Sequence, residues 1–229
     1  SSWNGDNVVE DRAYYNRFIY DMDLHALYAT LSYNIGKFGV MGGLRGEYWR
    51  VNTESYSWEQ EHDASKREPA FKKDYFELFP SLFLSYQITP TQQLQLNYTR
   101  RLRRPWGGQL NSFQEISNPT DIRYGNPELQ PEYSNAFELN YIKSWDNHMI
   151  SLSGYLRTSD DIMTHLSYIT ADNVMYTTWD NVSERLNSGA ELVVKNQLFN
   201  RVLDITTTAN VYQSHLKAWQ RDICLLYTS

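Results

Sequence analysis

Apolar and polar residues alternate along most of the chain with a period of two. In one stretch Gly42, Leu44 and Gly46 share a side, opposite Arg45 and Glu47. This period is typical of β-strands, in which successive side chains point to opposite faces. The longest apolar face comprises Phe76, Leu78, Pro80, Leu82, Leu84, Tyr86 and Ile88, with Glu77, Ser81, Ser85 and Gln87 opposite. The pattern predicts an all-β protein.

The alternation predicts about eight antiparallel strands. Their ranges are 17–33, 38–51, 74–88, 93–102, 132–144, 148–169, 174–198 and 202–219. Short connections alternate with long ones at 52–73 and 103–131, and the two longest strands meet at a tip near Asp172 and Asn173. Membrane β-barrels have short periplasmic turns and long extracellular loops, and a strand of about 9–11 residues crosses the apolar layer. We therefore predict an antiparallel transmembrane β-barrel.

Composition agrees with a barrel and excludes other classes. Aromatic residues make up 15% of the sequence, and barrels use them as girdles at the membrane interfaces. No apolar segment is long enough for a membrane helix. With 21 Lys and Arg against 27 Asp and Glu, the net charge of −6 gives no field that would attract nucleic acid. The residues expected in the girdles are Tyr33, Tyr48, Trp49, Tyr98, Tyr133 and Trp145.

The domain organisation predicted from these patterns is that of a fragment. Residues 1–16 form an incoming loop or strand end, and 17–219 form a partial outer-membrane barrel. Residues 220–229 are uncertain, and within them 224–229 resemble the translated end of a sequencing adapter, with an ordinary short apolar strand as the alternative. The chain begins without Met or a signal segment. We therefore expect a slice of a larger sheet.

Three short motifs lie between the fourth and fifth predicted strands. Their sequences are RRLRRP, from Arg100, LNSF, from Leu110, and GNPELQPE, from Gly125. Together they resemble the segment that joins two strands of the outer-membrane barrel in the TonB-dependent receptors of Bacteroidetes. GLRGE at Gly43 and FPS at Phe79 resemble strands of the same family. The motif residues are Arg101, Arg104, Pro105, Leu110, Asn111, Phe113, Gly125, Asn126, Pro127, Leu129, Pro131 and Glu132.

The resemblance implies a transporter without covalent chemistry and without a cofactor. It implies a barrel of about 22 strands closed around a plug, and the plug domain is not in these residues. Through that plug the receptor would contact the TonB energy-transducing complex of a Gram-negative cell. Its other partners would be outer-membrane lipid, a nutrient ligand and a surface lipoprotein. Whether the nutrient is a glycan, a siderophore or a peptide stays open.

The motif residues also have local structural roles. Gly125 can adopt positive φ, and Pro127 favours an extended Asn126, while Pro131 precedes a strand where its missing N–H costs no ladder bond. We therefore interpret the motif segment as a structural loop rather than a ligand site. For the arginines from Arg100 to Arg104, two readings remain: pairing with acidic groups of the wall or plug, or binding of an anionic substrate.

Other candidate chemistry is sparse. Tyr56, Trp58 and Trp106 suit extracellular ligand contacts, because aromatic faces stack on sugars or peptides; a solvated surface loop at 52–73 is the alternative. The five histidines lie at no metal-binding spacing. Asp160 and Asp161 are adjacent on a strand and would point to opposite faces, which argues against paired acid and base catalysis.

Two other functions remain as alternatives. A self-contained outer-membrane barrel could serve adhesion or envelope structure, since eight strands suffice for a small barrel. A soluble β-sandwich could bind glycans through surface aromatics.

Overall fold

The structure is a computed structural model that describes residues 2–4, 7–9, 12–199 and 202–218. These residues form twelve strands and two short helices, with single 3-10 turns at Arg12–Tyr14 and Ala64–Lys66. The strands are β1 (Ser2–Asn4), β2 (Asn7–Val9), β3 (Asn16–Ile35), β4 (Phe38–Ser57), β5 (Phe71–Thr89), β6 (Gln92–Arg103), β7 (Glu115–Asn118), β8 (Asp121–Arg123), β9 (Glu132–Trp145), β10 (His148–Ile169), β11 (Met175–Leu198) and β12 (Leu203–Ala218); the helices are α1 (Trp58–His62) and α2 (Gly107–Leu110).

Eight long strands form one antiparallel sheet in the order β3-β4-β5-β6-β9-β10-β11-β12. The short β8 pairs in parallel with the first residues of β11, which lie beyond the segment that pairs with β12, and β7 pairs with β8. Strands β1 and β2 form a separate two-stranded sheet. Across the described residues, β3 and β12 each pair with a single long strand, so the sheet is not closed. The predicted antiparallel sheet of about eight long strands is confirmed.

Strand ends beyond the apolar band differ most from the prediction. The fifth to seventh predicted strands agree with β9, β10 and β11 to within one residue. In contrast, β4 continues to Ser57 and β5 begins at Phe71, so the loop expected at 52–73 is shorter and contains α1. The tight connection after β3 uses Gly36 at φ +57°, where a side chain would be strained. Residues 219–229, including the predicted adapter segment, lie outside the described part.

One face of the sheet is apolar from one girdle to the other. Register places Leu44 beside Pro80, and Leu82 beside Tyr98 and, through it, Phe137. In β4 and β5 the apolar positions extend from Phe38 to Tyr48 and from Phe76 to Tyr86, which is the length that crosses a membrane. Beyond Tyr48 the same face carries charge: Arg50 Nε donates to Asp74 Oδ1 at 2.9 Å. The apolar face is therefore the lipid-facing surface.

One of the expected girdle residues points inward, and the hydroxyl of another is bonded within the protein. Trp49 is only 1% exposed and lies on the inner face, because its neighbour Tyr48 already faces outward and adjacent strand residues cannot share a face. Tyr133 donates its hydroxyl to Glu77 Oε1 at 2.7 Å. Tyr33, Tyr48 and Trp145 are exposed as expected. The girdle prediction was wrong for Trp49, and for Tyr98 and Tyr133 it stays a prediction.

The expectation that Asp160 and Asp161 simply alternate was also incomplete. Both lie in β10, but the register with β11 shifts between Ser159 and Ile162, which marks a bulge. Asp161 has φ +56°, and its carbonyl accepts a hydrogen bond from Asn181 Nδ2 at 2.6 Å. Such a bulge re-aims the side chains that follow it.

The buried core lies on the inner face, toward one end of the sheet. It comprises Trp49, Val51, Leu110, Leu129 and Met163, which come from β4, the β6–β9 connection and β10. A connection between strands thus supplies two members of the core.

Among the described residues, no helix is both long and apolar enough to span a membrane.

The facing of β5 is testable by charge insertion in the protein expressed from its complete gene. Arg at Leu82 or Leu84, on the lipid face, should cost about 2–4 kcal/mol near the midplane. Arg at Ser81 or Ser85, on the inner face, should be tolerated. The measurement is the fraction of heat-modifiable barrel recovered from outer membranes. Equal losses at both pairs of positions would show that the facing is wrong.

Candidate functional site

The connection between β6 and β9, residues 104–131, folds across the inner face of the sheet. We call it the motif loop. Its members contact strands on both sides: Asn111 bonds to Asn16 of β3, and Asn126 bonds to the backbone of Trp179 in β11. Between these ends, Leu110 and Leu129 enter the core. The loop therefore joins strands that are distant in the sheet.

A buried ion pair holds the start of the motif loop to β4. Glu47, 6% exposed, accepts hydrogen bonds from Arg104 of the loop and, at 2.5 Å, from Arg45 Nε. The Arg104 guanidinium also lies over the Trp49 ring, 4.5 Å from its centroid. A buried carboxylate is costly unless it is paired and hydrogen-bonded. Glu47 and Arg104 are thus mutually dependent.

Polar bonds fix the middle of the loop. Asn111 Nδ2 donates to Asn16 Oδ1 at 3.1 Å, and Asn111 Oδ1 accepts from Ser55 Oγ at 3.3 Å and from the Phe113 amide at 3.2 Å. The Gln109 side chain, 3% exposed, accepts from the Trp106 amide at 3.1 Å. These side chains replace the ladder bonds that the irregular backbone cannot form.

The GNPELQPE motif packs directly on this middle segment. The amide of Gly125 donates to the Asn111 carbonyl, and that of Asn126 to the Gln109 carbonyl, each at 2.7 Å. A Cβ on Gly125 would lie 2.5 Å from the Gln109 carbonyl oxygen. Close backbone approach, rather than positive φ, therefore requires glycine here.

The end of the motif loop is fixed to β11 and β6. Gln130 and Asn181 exchange two hydrogen bonds, at 2.8 and 3.0 Å. Pro131 is fully buried, and Glu132 forms an ion pair with Arg103 at 2.6 Å. The structure thus brings together most of the motif residues: Arg104, Pro105, Leu110, Asn111, Gly125, Asn126, Pro127, Leu129 and Pro131. Arg101 is not among them.

Arg101 lies on the inner wall instead. It lines a separate recess of about 590 Å³ together with Arg157 and Glu138. Phe113 lines yet another recess, between the motif loop and the ends of β10 and β11. The roles assigned to both residues from sequence stay predictions.

The three aromatic candidates differ in their surroundings. Tyr56 donates its hydroxyl to Glu54 and lies beneath Arg67. Trp58 stacks on His62, with ring centroids 4.2 Å apart, and Arg12 covers it at 3.8 Å. Trp106 is 65% exposed. Of these three rings, that of Trp106 offers the most surface to a ligand.

A recess of about 860 Å³ lies between the motif loop and the ends of β10 and β11. Trp106, Phe113 and Tyr124 line it from the loop. His165 and Trp179 line it from the strands, with ring centroids 3.8 Å apart. Its size is within the range of small-ligand pockets, about 300–1,000 Å³. We call it the aromatic recess.

Sequence reasoning missed the strand side of this recess. His165, Trp179 and the loop anchor Asn181 belong to no motif, and the contacts of Trp179 and Asn181 with the loop join residues about 50 positions apart. Tyr124 also forms a hydroxyl contact of 3.0 Å with Tyr168. Burial and this hydrogen bond raise the pKa of Tyr124 to about 12. No signal in the local sequence indicates these contacts.

The described residues contain no cluster of three or more His, Cys, Asp or Glu that could hold a metal ion. Their functional groups are instead dispersed among ion pairs and aromatic stacks.

Long two-faced strands, a lipid-facing apolar band and an inward-folded loop define the wall of an outer-membrane β-barrel. The chain belongs to the outer membrane protein beta-barrel family, whose sequence model matches residues 1–222. It is therefore an outer-membrane protein. No curated protein sequence matches it.

Solved structures share the fold at low identity. The FrpB iron transporter from Neisseria meningitidis (F3-3 variant) has a TM-score of 0.60 at 14% identity, over 90% of this chain and 27% of its own. The ferric yersiniabactin uptake receptor FyuA from Yersinia pestis has 0.59 at 13%, over 88% and 28%. The hemophore receptor HasR from Serratia marcescens, in complex with HasA and heme, has 0.58 at 12%, over 82% and 43%. The chain spans less than half of each.

Replacement of Gly125 by Ala should loosen the motif loop. The added Cβ meets two carbonyl oxygens, of Gln109 and Asn111, at 2.5 and 2.7 Å, and overpacking of this kind costs about 1–3 kcal/mol. Trypsin should then cleave after Arg123 faster than in the unchanged protein. Gly154→Ala is the control, since nothing lies within 4 Å of its Cβ. Equal cleavage rates in the two variants would contradict the close packing.

The Glu47–Arg104 pair should behave as one unit. Arg104→Met leaves the buried carboxylate with Arg45 alone and should lower stability, by up to about 3 kcal/mol. Adding Glu47→Leu removes the uncompensated charge and should restore part of the loss. The measurement is the temperature at which the folded barrel band disappears on a gel. A double variant less stable than Arg104→Met would refute the coupling.

Proposed function

We propose that the chain is part of the barrel wall of a TonB-dependent outer-membrane receptor, of the type found in Bacteroidetes, that imports a nutrient. Residues 17–219 would be a slice of a barrel of about 22 strands, and the plug would lie elsewhere in the protein. The observation that supports this best is the motif loop, which is packed on the inner face and opens an aromatic recess there. A purely structural barrel has no need of such a recess.

The other partners follow from the same proposal. The apolar band contacts outer-membrane lipid, the plug contacts the TonB complex, and the aromatic recess contributes to nutrient binding. A surface lipoprotein could cover the extracellular loops. The proteins with similar folds are described as an iron transporter, a ferric yersiniabactin uptake receptor and a hemophore receptor, which favours transport over catalysis. The proposal includes no nucleic-acid partner.

For the motif residues we propose a structural role. Gly125, Asn126 and Pro131 make their contacts within the protein. Arg104 is engaged by Glu47. Ligand contact is then left to the exposed rings, foremost Trp106, while Tyr56 and Trp58 are held by neighbouring side chains.

Growth of the source bacterium tests the import proposal. A strain lacking the complete gene should fail to grow when one nutrient class is limiting, and the intact gene should restore growth only while the TonB complex is functional. The panel comprises ferric siderophores, haem, glycans and peptides as limiting nutrients. Growth independent of the gene on every nutrient would reject import and favour adhesion or envelope structure.

A further inference from the structure

The Trp106 ring is supported on one side by the backbone. A Cβ added to Gly108 would lie 2.0 and 2.2 Å from atoms of the six-membered ring of Trp106. The ring therefore rests on the bare Cα of Gly108, and a side chain at position 108 would displace it. Because Trp106 is 65% exposed, its remaining surface is free toward the aromatic recess. This is the geometry of a fixed stacking platform.

The strand side of the recess offers hydroxyl groups that can form hydrogen bonds, and the charges in the lining balance. Ser167 and Thr177 line it, with their hydroxyl oxygens 3.0 Å apart. Glu115 and Arg123 also line it and carry opposite charges, and Arg123 is 3.0 Å from Asp121. The lining thus has no net charge that would select an anionic or cationic ligand.

We propose that the aromatic recess binds a neutral oligosaccharide, with one sugar ring stacked on Trp106. The face of an aromatic ring is electron-rich, and the C–H groups on the face of a sugar ring are weakly positive. The hydroxyls of the sugar match Ser167 and Thr177 on the other side. This inference rests on the proposed import function and names its substrate class.

The fixed orientation of the ring favours such a ligand further. An aromatic platform already held in place loses little conformational freedom on binding. A flexible peptide or a compact charged chelate would gain less from one flat surface. The Trp106–Gly108 arrangement is therefore a specificity feature for uncharged sugar rings that present a face of C–H groups.

Binding measurements on the purified full-length protein in detergent test the inference. Calorimetric titration uses neutral hexasaccharides of glucan, xylan and mannan, with oligogalacturonate and a ferric siderophore as charged comparators. At least one neutral hexasaccharide should bind. Trp106→Ala should weaken that binding roughly tenfold or more, as loss of a stacked ring does elsewhere, whereas Trp106→Phe should retain most of it. Gly108→Ala keeps the indole but should weaken binding as well.

Trp145→Ala is the matched control, since Trp145 ends β9 and is not among the residues that line the recess, so the affinity should be unchanged. Recovery of heat-modifiable barrel shows that each variant is folded. Binding of the charged comparators alone, or unchanged affinity in both Trp106→Ala and Gly108→Ala, would overturn the inference. TonB-dependent growth on another nutrient class would then leave import standing, while glycan binding without any such growth would reject import alone.

Discussion

The need to pair every backbone N–H and C=O group inside hydrocarbon determines the architecture of this chain. Water cannot satisfy these groups in a bilayer, so only helices and closed sheets span it. Here all 20 residues of β3 pair with β4 in one unbroken register, and β10 pairs with β9 and β11 over most of its length. The strands at the two edges, β3 and β12, then require further neighbours wherever they lie in the membrane. The long strands are a consequence of that requirement.

The same pairing makes much of the fold predictable from the sequence. Because a strand between lipid and lumen must alternate, the positions around Leu44, Leu82 and Leu96 indicate both the strand and its outer face. The prediction of strand boundaries becomes less accurate outside the membrane, where side chains need not alternate between apolar and polar. Beyond Val51, β4 continues through residues that are largely polar on both sides, so the ladder persists without any hydrophobic signal. At Asp161 a bulge interrupts the alternation. Neither the type of residue at this position nor the spacing of apolar residues around it predicts the bulge.

The sequence allowed prediction of the motif loop of the candidate site but not of the strand residues that the loop contacts. The motif loop carries its own turn chemistry, in Gly125, Asn126 and Pro127, and these residues are recognisable in isolation. Its partners are not, because Trp179 and Asn181 are about 50 residues further on and meet the loop only once the sheet has formed. Glu47 shows the same limit: its position on a strand predicts an inward side chain, but only the folded loop supplies Arg104 as its partner.

The loop and the recess depend on the same contacts. A long irregular connection on the inner face exposes many unpaired backbone groups, and side chains such as the half-buried Asn111 and the buried Gln109 satisfy them. Once these bonds form, the loop has little freedom to move relative to β10 and β11. The space left between the loop and the strands therefore has a defined shape. Preorganisation of this kind reduces the entropic cost of binding, so under the proposed function the bonds that hold the loop also prepare Trp106 and Trp179 for ligand contact.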